Sequence, residues 1–138
     1  MGEPEAMPDR ARRGQTVRAL IVDDSRFIRD YLGALLARRG MDCIAAENGQ
    51  AGLECLDRSG PCDVALIDWN MPVMNGLDMI RAVRRNRARD KMKILMVTSE
   101  ADNWHIEAAL MAGADEYLMK PFDELGLMEK LSMIGVLP

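Results

Sequence analysis

The sequence has few cysteines, no long apolar run and no apolar segment near its start. Its three cysteines are odd in number and lack C-x-x-C spacing, so they indicate neither a disulfide framework nor a zinc site. No apolar run approaches the roughly 20 residues that a membrane span requires, and residues 1–16 lack the apolar core of a secretory signal. We therefore expect a cytoplasmic protein with reduced thiols and no membrane partner.

The balance of charged and apolar residues is that of an ordinary globular domain. With 18 basic and 22 acidic residues the net charge is −4, which argues against DNA as a partner. A chain of 138 residues, 49% of them hydrophobic, is expected to form one domain that buries about two-thirds of its unfolded surface. Residues 1–16 are rich in Pro, Glu, Arg and Gly and predict a disordered leader, which leaves residues 17–138 as the folded domain.

Five short apolar runs alternate with segments of helical periodicity. The predicted strands are residues 17–22, 41–46, 64–67, 93–97 and 116–119. Residues that favour helix N-caps stand before the helical segments: Ser25 or Asp24, Asn48, Asp102 and Asp123. Strands and helices in alternation predict an α/β fold with a parallel sheet and helices on both faces.

Chemically active side chains follow the predicted strands at the point where each strand ends. Asp23 and Asp24 come after the first strand, Asp68 after the third, Thr98 after the fourth and Lys120 after the fifth. Because the carboxyl ends of parallel strands share one edge of the sheet, we expect these side chains to meet in one cleft. Carboxylates held a few ångströms apart repel one another unless a cation is present. Mg²⁺, with Mn²⁺ as the alternative, is therefore the predicted cofactor.

Asp68 is the candidate nucleophile of this cleft. A carboxylate can accept a phosphoryl group as an acyl phosphate. Such transfer depends mainly on positioning and on neutralising the charge of the phosphoryl oxygens. Mg²⁺ and the Lys120 ammonium would neutralise that charge, and the Thr98 hydroxyl would donate a hydrogen bond.

The motifs around these residues resemble the receiver domain of two-component response regulators, and most closely the stand-alone chemotaxis (CheY) type. The successive spacings agree: 44 residues from Asp24 to Asp68, 30 on to Thr98 and 22 on to Lys120. The resemblance covers residues 17 to about 134 and implies a flavodoxin-like (βα)5 doubly wound sheet with the strand order 2-1-3-4-5. The motifs that carry it are Asp23-Asp24-Ser25, Asp68-Trp69-Asn70-Met71-Pro72 with Gly76, Thr98-Ser99-Glu100 and Tyr117-Leu118-Met119-Lys120-Pro121-Phe122.

The resemblance also implies a role for each site residue. Asp68 would accept phosphate from a histidine kinase or a phosphotransfer protein, with Lys120 pairing with the phosphoryl group. Thr98 and Tyr117 would form the switch, Tyr117 rotating inward as Thr98 moves. Asn70 and Glu100 occupy positions that tune the lifetime of the acyl phosphate, and polar residues at both predict seconds to minutes. The metal ligands would be Asp24 directly, Asp23 mostly through water, Asp68, and the backbone carbonyl of Asn70.

The resemblance further implies a signalling protein and not an enzyme, apart from self-directed phosphotransfer and autodephosphorylation. A downstream protein, the flagellar motor switch or another, would bind the face made by the fourth helix, fifth strand and fifth helix. We expect a monomer, with a dimer as the alternative, and a receiver without an output domain. Within the fold, a phosphate sink or an adaptor of a stress or kinase pathway remains an alternative.

Two functions from other classes are disfavoured by the residues after the first strand. A phosphatase of the haloacid-dehalogenase type would carry its nucleophile there as D-x-D, whereas the chain has Asp23-Asp24-Ser25. A flavodoxin-like nucleotide carrier would need a Gly-rich or Ser/Thr-rich phosphate loop, and two aspartates would repel a phosphate.

Two further features predict surface positions. The only histidine, His105, is expected to be solvated. A cluster of five arginines lies between residues 81 and 89 and is expected to be a solvated face, with an acidic partner or a cyclic dinucleotide as the alternative ligand. Its members are Arg81, Arg84, Arg85, Arg87 and Arg89.

Overall fold

Five parallel strands form the sheet that positions every candidate site residue. A computed structural model describes residues 7–137 of the chain. The apolar runs become β1 (Arg18–Val22), β2 (Asp42–Ala46), β3 (Val64–Ile67), β4 (Lys93–Thr98) and β5 (Glu116–Met119). All neighbouring pairs are parallel and the strand order is β2-β1-β3-β4-β5, so the predicted sheet is confirmed.

The helices begin where short polar side chains cap them. They are α1 (Arg26–Ala37), α2 (Gly49–Ser59), α3 (Gly76–Arg85), α4 (Asn103–Ala112) and α5 (Glu124–Met133). At each start a side-chain oxygen accepts a hydrogen bond from the backbone N–H three residues on, which satisfies a donor that the helix itself leaves unpaired. The capping residues are Ser25, Asn48, Asn75, Asp102 and Asp123.

The alternation of side chains along the strands divides the core into two layers. On one face of the sheet Leu20 and Val22 pack with buried residues of α2, α3 and α4. On the other face Ala19 and Ile21 pack with the leucines of α1 and α5. Because both faces are covered, the central strands are apolar throughout, as parallel strands usually are.

The segment before the sheet differs from the predicted disordered leader. Residues 1–6 lie outside the described residues, but Asp9–Arg12 form one helical turn. The Arg10 side chain pairs with the Asp63 carboxylate at 3.1 Å, and this contact spans 53 residues of sequence. Local composition carries no trace of so distant a partner, which is why the sequence suggested disorder. Among the described helices, none combines the length and apolarity of a membrane-spanning segment.

Candidate functional site

The carboxyl edge of the sheet brings together two buried carboxylates and one ammonium. Asp23 directly follows β1, Asp68 follows β3 and Lys120 follows β5. The Lys120 Nζ lies 2.8 Å from Asp23 Oδ2 and 3.2 Å from Asp68 Oδ2. The Asp23 and Asp68 side chains are only 2% and 9% exposed, so this ion pair is largely desolvated. A single lysine therefore bridges two carboxylates that would otherwise repel each other.

Backbone N–H groups orient both carboxylates. Asp23 Oδ1 accepts a hydrogen bond from the Ser25 N–H at 2.9 Å, and Asp68 Oδ1 accepts one from the Trp69 N–H at 2.7 Å. In each residue the other oxygen faces Lys120. The two side chains are thus held in one orientation before any ligand arrives.

The same edge offers a set of oxygen ligands. Asp23, Asp24 and Asp68 each place a carboxylate oxygen within 4.8 Å of the others. Asp24 is exposed, and within residues 7–137 its carboxylate makes no hydrogen bond or ion pair. An unpaired carboxylate beside two buried ones fits a hard cation such as Mg²⁺, which prefers oxygen ligands and keeps several waters.

The protonation of the two central groups follows from burial and charge. Burial raises the pKa of the Asp68 carboxyl, and the neighbouring Asp23 charge raises it further, while the Lys120 ammonium and the Thr98 hydroxyl act in the opposite direction. For Lys120, burial favours the neutral amine, but the hydrogen bond with Asp23 and the charge of Asp68 outweigh it, so the pKa of Lys120 is raised. Lys120 therefore remains a cation at neutral pH.

A tight loop after β3 holds the Asp68 backbone in place. The Gly76 N–H donates to the Trp69 carbonyl at 2.9 Å, which closes the loop. A Cβ atom on residue 76 would lie 2.0 Å from the Asp68 carbonyl oxygen, so only glycine fits there. The glycine at the start of α3 thus allows the loop to pass directly behind Asp68.

The two predicted switch residues lie beside this site. The Thr98 side chain is fully buried, and its hydroxyl accepts a hydrogen bond from the Glu100 N–H at 3.4 Å. Tyr117 is also buried, and its hydroxyl donates to the Glu100 carbonyl at 2.5 Å. Burial, followed by the charge of Glu100, raises the pKa of Tyr117 to about 12. Tyr117 already faces inward in this structure.

The two residues predicted to tune the phosphate lifetime contact each other. Asn70 Nδ2 donates to Glu100 Oε2 at 2.6 Å, although 30 residues separate them in sequence. The structure therefore places the Asn70 amide and the Glu100 carboxylate together at the exposed rim of the site, next to Asp68.

His105 is the residue near the site that the sequence did not reveal. We expected a solvated histidine, but its side chain is 22% exposed and lies between Asp102 and Glu100. It also packs against the Trp69 ring, with the ring centroids 4.5 Å apart. The spacing of Asp102 and His105 could have indicated the contact, because residues three apart at a helix start are neighbours.

The prediction of one solvated arginine face is wrong for two of its members. Arg84 donates to the Gly113 carbonyl at 3.0 Å and pairs with Asp115 at 3.1 Å, and Arg89 pairs with Asp57 at 2.7 Å. Both side chains are about one-fifth exposed, because they bridge α3 and its following turn to neighbouring segments. They connect structural elements and do not form one free basic surface.

Comparison with known families identifies this arrangement. The family model described as the response regulator receiver domain matches residues 19–132. The chain is a response regulator receiver domain. The match includes residues of all five strands, so the family resemblance predicted from the motifs is confirmed.

Relatives of the receiver include chemotaxis proteins. It is 38% identical over 119 residues to the chemotaxis protein CheY1 of Helicobacter pylori, covering 86% of this chain and 96% of that protein. It is also 38% identical over 116 residues to a CheY homologue of Campylobacter jejuni, covering 83% of this chain and 89% of the relative.

Solved structures show the same fold. The receiver aligns with the chemotaxis protein CheY4 of Vibrio cholerae with a TM-score of 0.81 at 31% identity, covering 86% of this chain and 98% of that one. A CheY-like receiver domain protein of Methanospirillum hungatei gives a TM-score of 0.79 at 31% identity, covering 88% and 94%. The flavodoxin-like fold class predicted from the sequence is confirmed.

Proposed function

We propose that this receiver accepts a phosphoryl group on Asp68 from a histidine kinase or phosphotransfer protein and thereby changes a protein-binding face in chemotaxis signalling. The observation that carries the proposal is the Lys120 ammonium bridging Asp23 and Asp68 beside the unpaired Asp24 carboxylate. Such a group of charges has the composition needed to receive a dianionic phosphoryl group. The receiver would act in the cytoplasm as a monomer.

The transfer step uses the Asp68 carboxylate as nucleophile. One of its oxygens attacks phosphorus of the phosphohistidine, the P–N bond breaks, and its electron pair stays on the imidazole nitrogen. Lys120, which now contacts a carboxylate oxygen of Asp68, is within reach of an oxygen of the incoming phosphoryl group. Because its pKa is raised, Lys120 arrives at this step as a cation.

Four residues would hold the metal ion. They are Asp23, Asp24, Asp68 and Asn70, the last through its backbone carbonyl. When bound, Mg²⁺ supplies positive charge that offsets the phosphoryl oxygens. These residues would hold the ion beside the Asp68 carboxylate, which hydrogen bonds from the chain already orient.

The response to phosphorylation would pass through Thr98 and Tyr117. The Thr98 hydroxyl would turn to a phosphoryl oxygen, and the bond that it accepts from the Glu100 N–H would change with it. The Tyr117 hydroxyl donates a hydrogen bond to the Glu100 carbonyl. A change in the loop after β4 that contains Glu100 would therefore favour the inward position of Tyr117. A local change in charge would thus be read by a two-state element.

The output surface would be the exposed face of α4, β5 and α5. This face carries large apolar side chains in contact with solvent, including methionines that adapt to different partners. They are Trp104, Leu110, Met111, Met119, Leu125 and Met133. The relatives named as chemotaxis proteins favour the flagellar motor switch as the downstream partner.

Transphosphorylation tests the proposed acceptor. A radiolabelled histidine kinase should transfer label to the wild type in the presence of Mg²⁺ and leave Asp68→Asn unlabelled, because the amide cannot form the acyl phosphate. Asp57→Asn, on an exposed aspartate of α2, is the matched control and should label like the wild type. Label that persists on Asp68→Asn would refute the assignment.

Three measurements test the consequences of phosphorylation. In a Trp104→Phe background, Trp69 fluorescence should change on adding Mg²⁺ with beryllofluoride, because the Trp69 N–H contacts the Asp68 carboxylate. The acyl phosphate should decay in seconds to minutes, and a half-life of many hours would contradict the role of Asn70 and Glu100. Binding to the motor switch only with beryllofluoride would support a motor role, whereas no binding in either state would favour a phosphate sink.

A further inference from the structure

A chain of polar contacts leads from the rim of the site into α4. Asn70 Nδ2 donates to Glu100 Oε2 at 2.6 Å, and the other oxygen of that carboxylate lies 3.5 Å from His105 Nε2. On its far side, His105 Nδ1 lies 2.8 Å and 2.9 Å from the two oxygens of Asp102. The four side chains come from two loops and the first turn of α4, so this series of contacts forms only in the folded protein.

Asp102 fixes the orientation of the imidazole. Its carboxylate caps α4 by accepting the His105 backbone N–H at 2.9 Å, and the same carboxylate faces Nδ1 of the ring. These hydrogen bonds, the backbone one first, lower the pKa of Asp102, so it remains an anion near neutral pH. Nδ1 therefore carries a proton in either state of the ring, and Nε2 is the nitrogen whose proton varies.

The state of Nε2 decides what Glu100 experiences. A neutral ring presents a lone pair to the Glu100 carboxylate, whereas an imidazolium donates a hydrogen bond to it. The charged groups that face His105 are Asp102 on its own helix start and Glu100 on the loop after β4, and the loop after β3 contributes the uncharged Trp69 ring. Protonation of His105 thus gives both Glu100 oxygens a donor, Asn70 on one and His105 on the other.

We infer that His105 is a positioning residue that, when protonated, draws the Glu100 carboxylate toward α4 and lengthens the life of the acyl phosphate on Asp68. This inference rests on the proposed function. Hydrolysis requires water to attack phosphorus, to break the bond between phosphorus and the Asp68 oxygen and to release a proton, while Asp68 leaves as a carboxylate. A Glu100 carboxylate with both oxygens engaged by donors is a weaker acceptor for that water than one held by Asn70 alone.

The test is the decay of labelled receiver at about pH 6 and about pH 8, which compares a more protonated with a less protonated receiver. After removal of the phosphodonor in Mg²⁺, the wild type should keep its label about two- to fivefold longer at the lower pH, as for a partly exposed ion pair. His105→Gln, which cannot become charged, should decay at the faster rate at both values. Glu107→Gln removes a carboxylate from the exposed face of the same helix and should follow the wild type.

A double-mutant cycle shows whether His105 acts through Glu100. In Glu100→Gln the further change His105→Gln should leave the decay rate unchanged, because no carboxylate remains to be positioned. Asp102 is left intact because it also caps α4. Decay that depends equally on pH with and without His105 overturns this inference alone. So do effects of the two substitutions on the decay rate that add in the cycle. A wild type that accepts no label overturns the proposed function as well.

Discussion

Aspartates stand at both edges of the sheet, but their partners differ. At the amino edge, Asp63 Oδ2 accepts from the Arg18 backbone N–H at 2.8 Å and pairs with Arg10 at 3.1 Å. Asp115 does the same with the Ile94 N–H and Arg84, at 2.8 Å and 3.1 Å. Asp63 and Asp115 thus each have their own guanidinium and a strand N–H.

At the carboxyl edge the charges do not balance. Asp23 and Asp68 share the single ammonium of Lys120, and Asp24 beside them has no ion-pair partner among residues 7–137. Paired carboxylates join strands and stabilise the sheet, whereas surplus carboxylates destabilise it until a cation or a phosphoryl group alters the charge. The same residue type is therefore fully paired at one edge and in surplus at the other, and the reactivity proposed for Asp68 depends on that surplus of negative charge.

The largest effect should come from breaking the balanced edge. Asp63→Ala should lower the free energy of unfolding by about 2–3 kcal/mol, because the Arg18 N–H loses its acceptor and Arg10 loses its partner. Urea denaturation measures the change. Asp57→Ala removes a carboxylate that is 70% exposed and also paired with an arginine, and should cost less than about 0.5 kcal/mol. Equal losses in the two variants would contradict the contrast between the edges.

A cation should relieve the surplus charge at the other edge. At ten times its dissociation constant, Mg²⁺ should raise the free energy of unfolding by about 1.4 kcal/mol, since it binds the folded state. Thermal denaturation with Mg²⁺ or with EDTA measures the gain. Asp24→Asn should abolish most of it, whereas Asp63→Asn at the amino edge should keep it. A gain that is unchanged in Asp24→Asn would place the ion elsewhere.

Neutralising one surplus carboxylate should stabilise the metal-free protein. Asp68→Asn should raise the free energy of unfolding by about 1 kcal/mol at neutral pH, because burial and Asp23 disfavour the Asp68 anion. The pKa of the Asp68 carboxyl is raised on folding. As pH rises from about 4, near the pKa of an unfolded carboxyl, through the pKa in the folded state, the wild type should therefore lose stability relative to the variant. Denaturation in EDTA from acid to neutral pH should show the gap widening, and a wild type more stable than the variant at neutral pH would contradict it.

Features that depend on neighbouring residues in the sequence were predictable. The bounds of β3 and β5 match the apolar runs at residues 64–67 and 116–119, and Asn48, Asp102 and Asp123 cap helices as their positions indicated. The meeting of the strand-end side chains also followed, because a parallel sheet places all its carboxyl ends along one edge.

Features that depend on distant partners were not predictable. Arg10 is ordered by Asp63, and Arg84 is held by Gly113 and Asp115, which follow it by about 30 residues. The spacing from Asp102 could indicate one contact of His105, but its contacts with Glu100 and with the Trp69 ring come from other elements. In each case a side chain's environment comes from another element, and composition or periodicity around the residue records nothing of it.

The proposed acceptor Asp68 could be disabled either by changing a charge around it or by displacing its backbone. The close approach of Gly76 to the Asp68 carbonyl allows the second to be tested without the first. A methyl group at residue 76 would push on the Asp68 backbone while leaving every ionisable group of the chain untouched. In a library of substitutions, residue 76 should therefore tolerate nothing but glycine, for a reason of shape and not of charge. The absence of a Cβ atom at residue 76 is then as necessary for this site as its aspartates are.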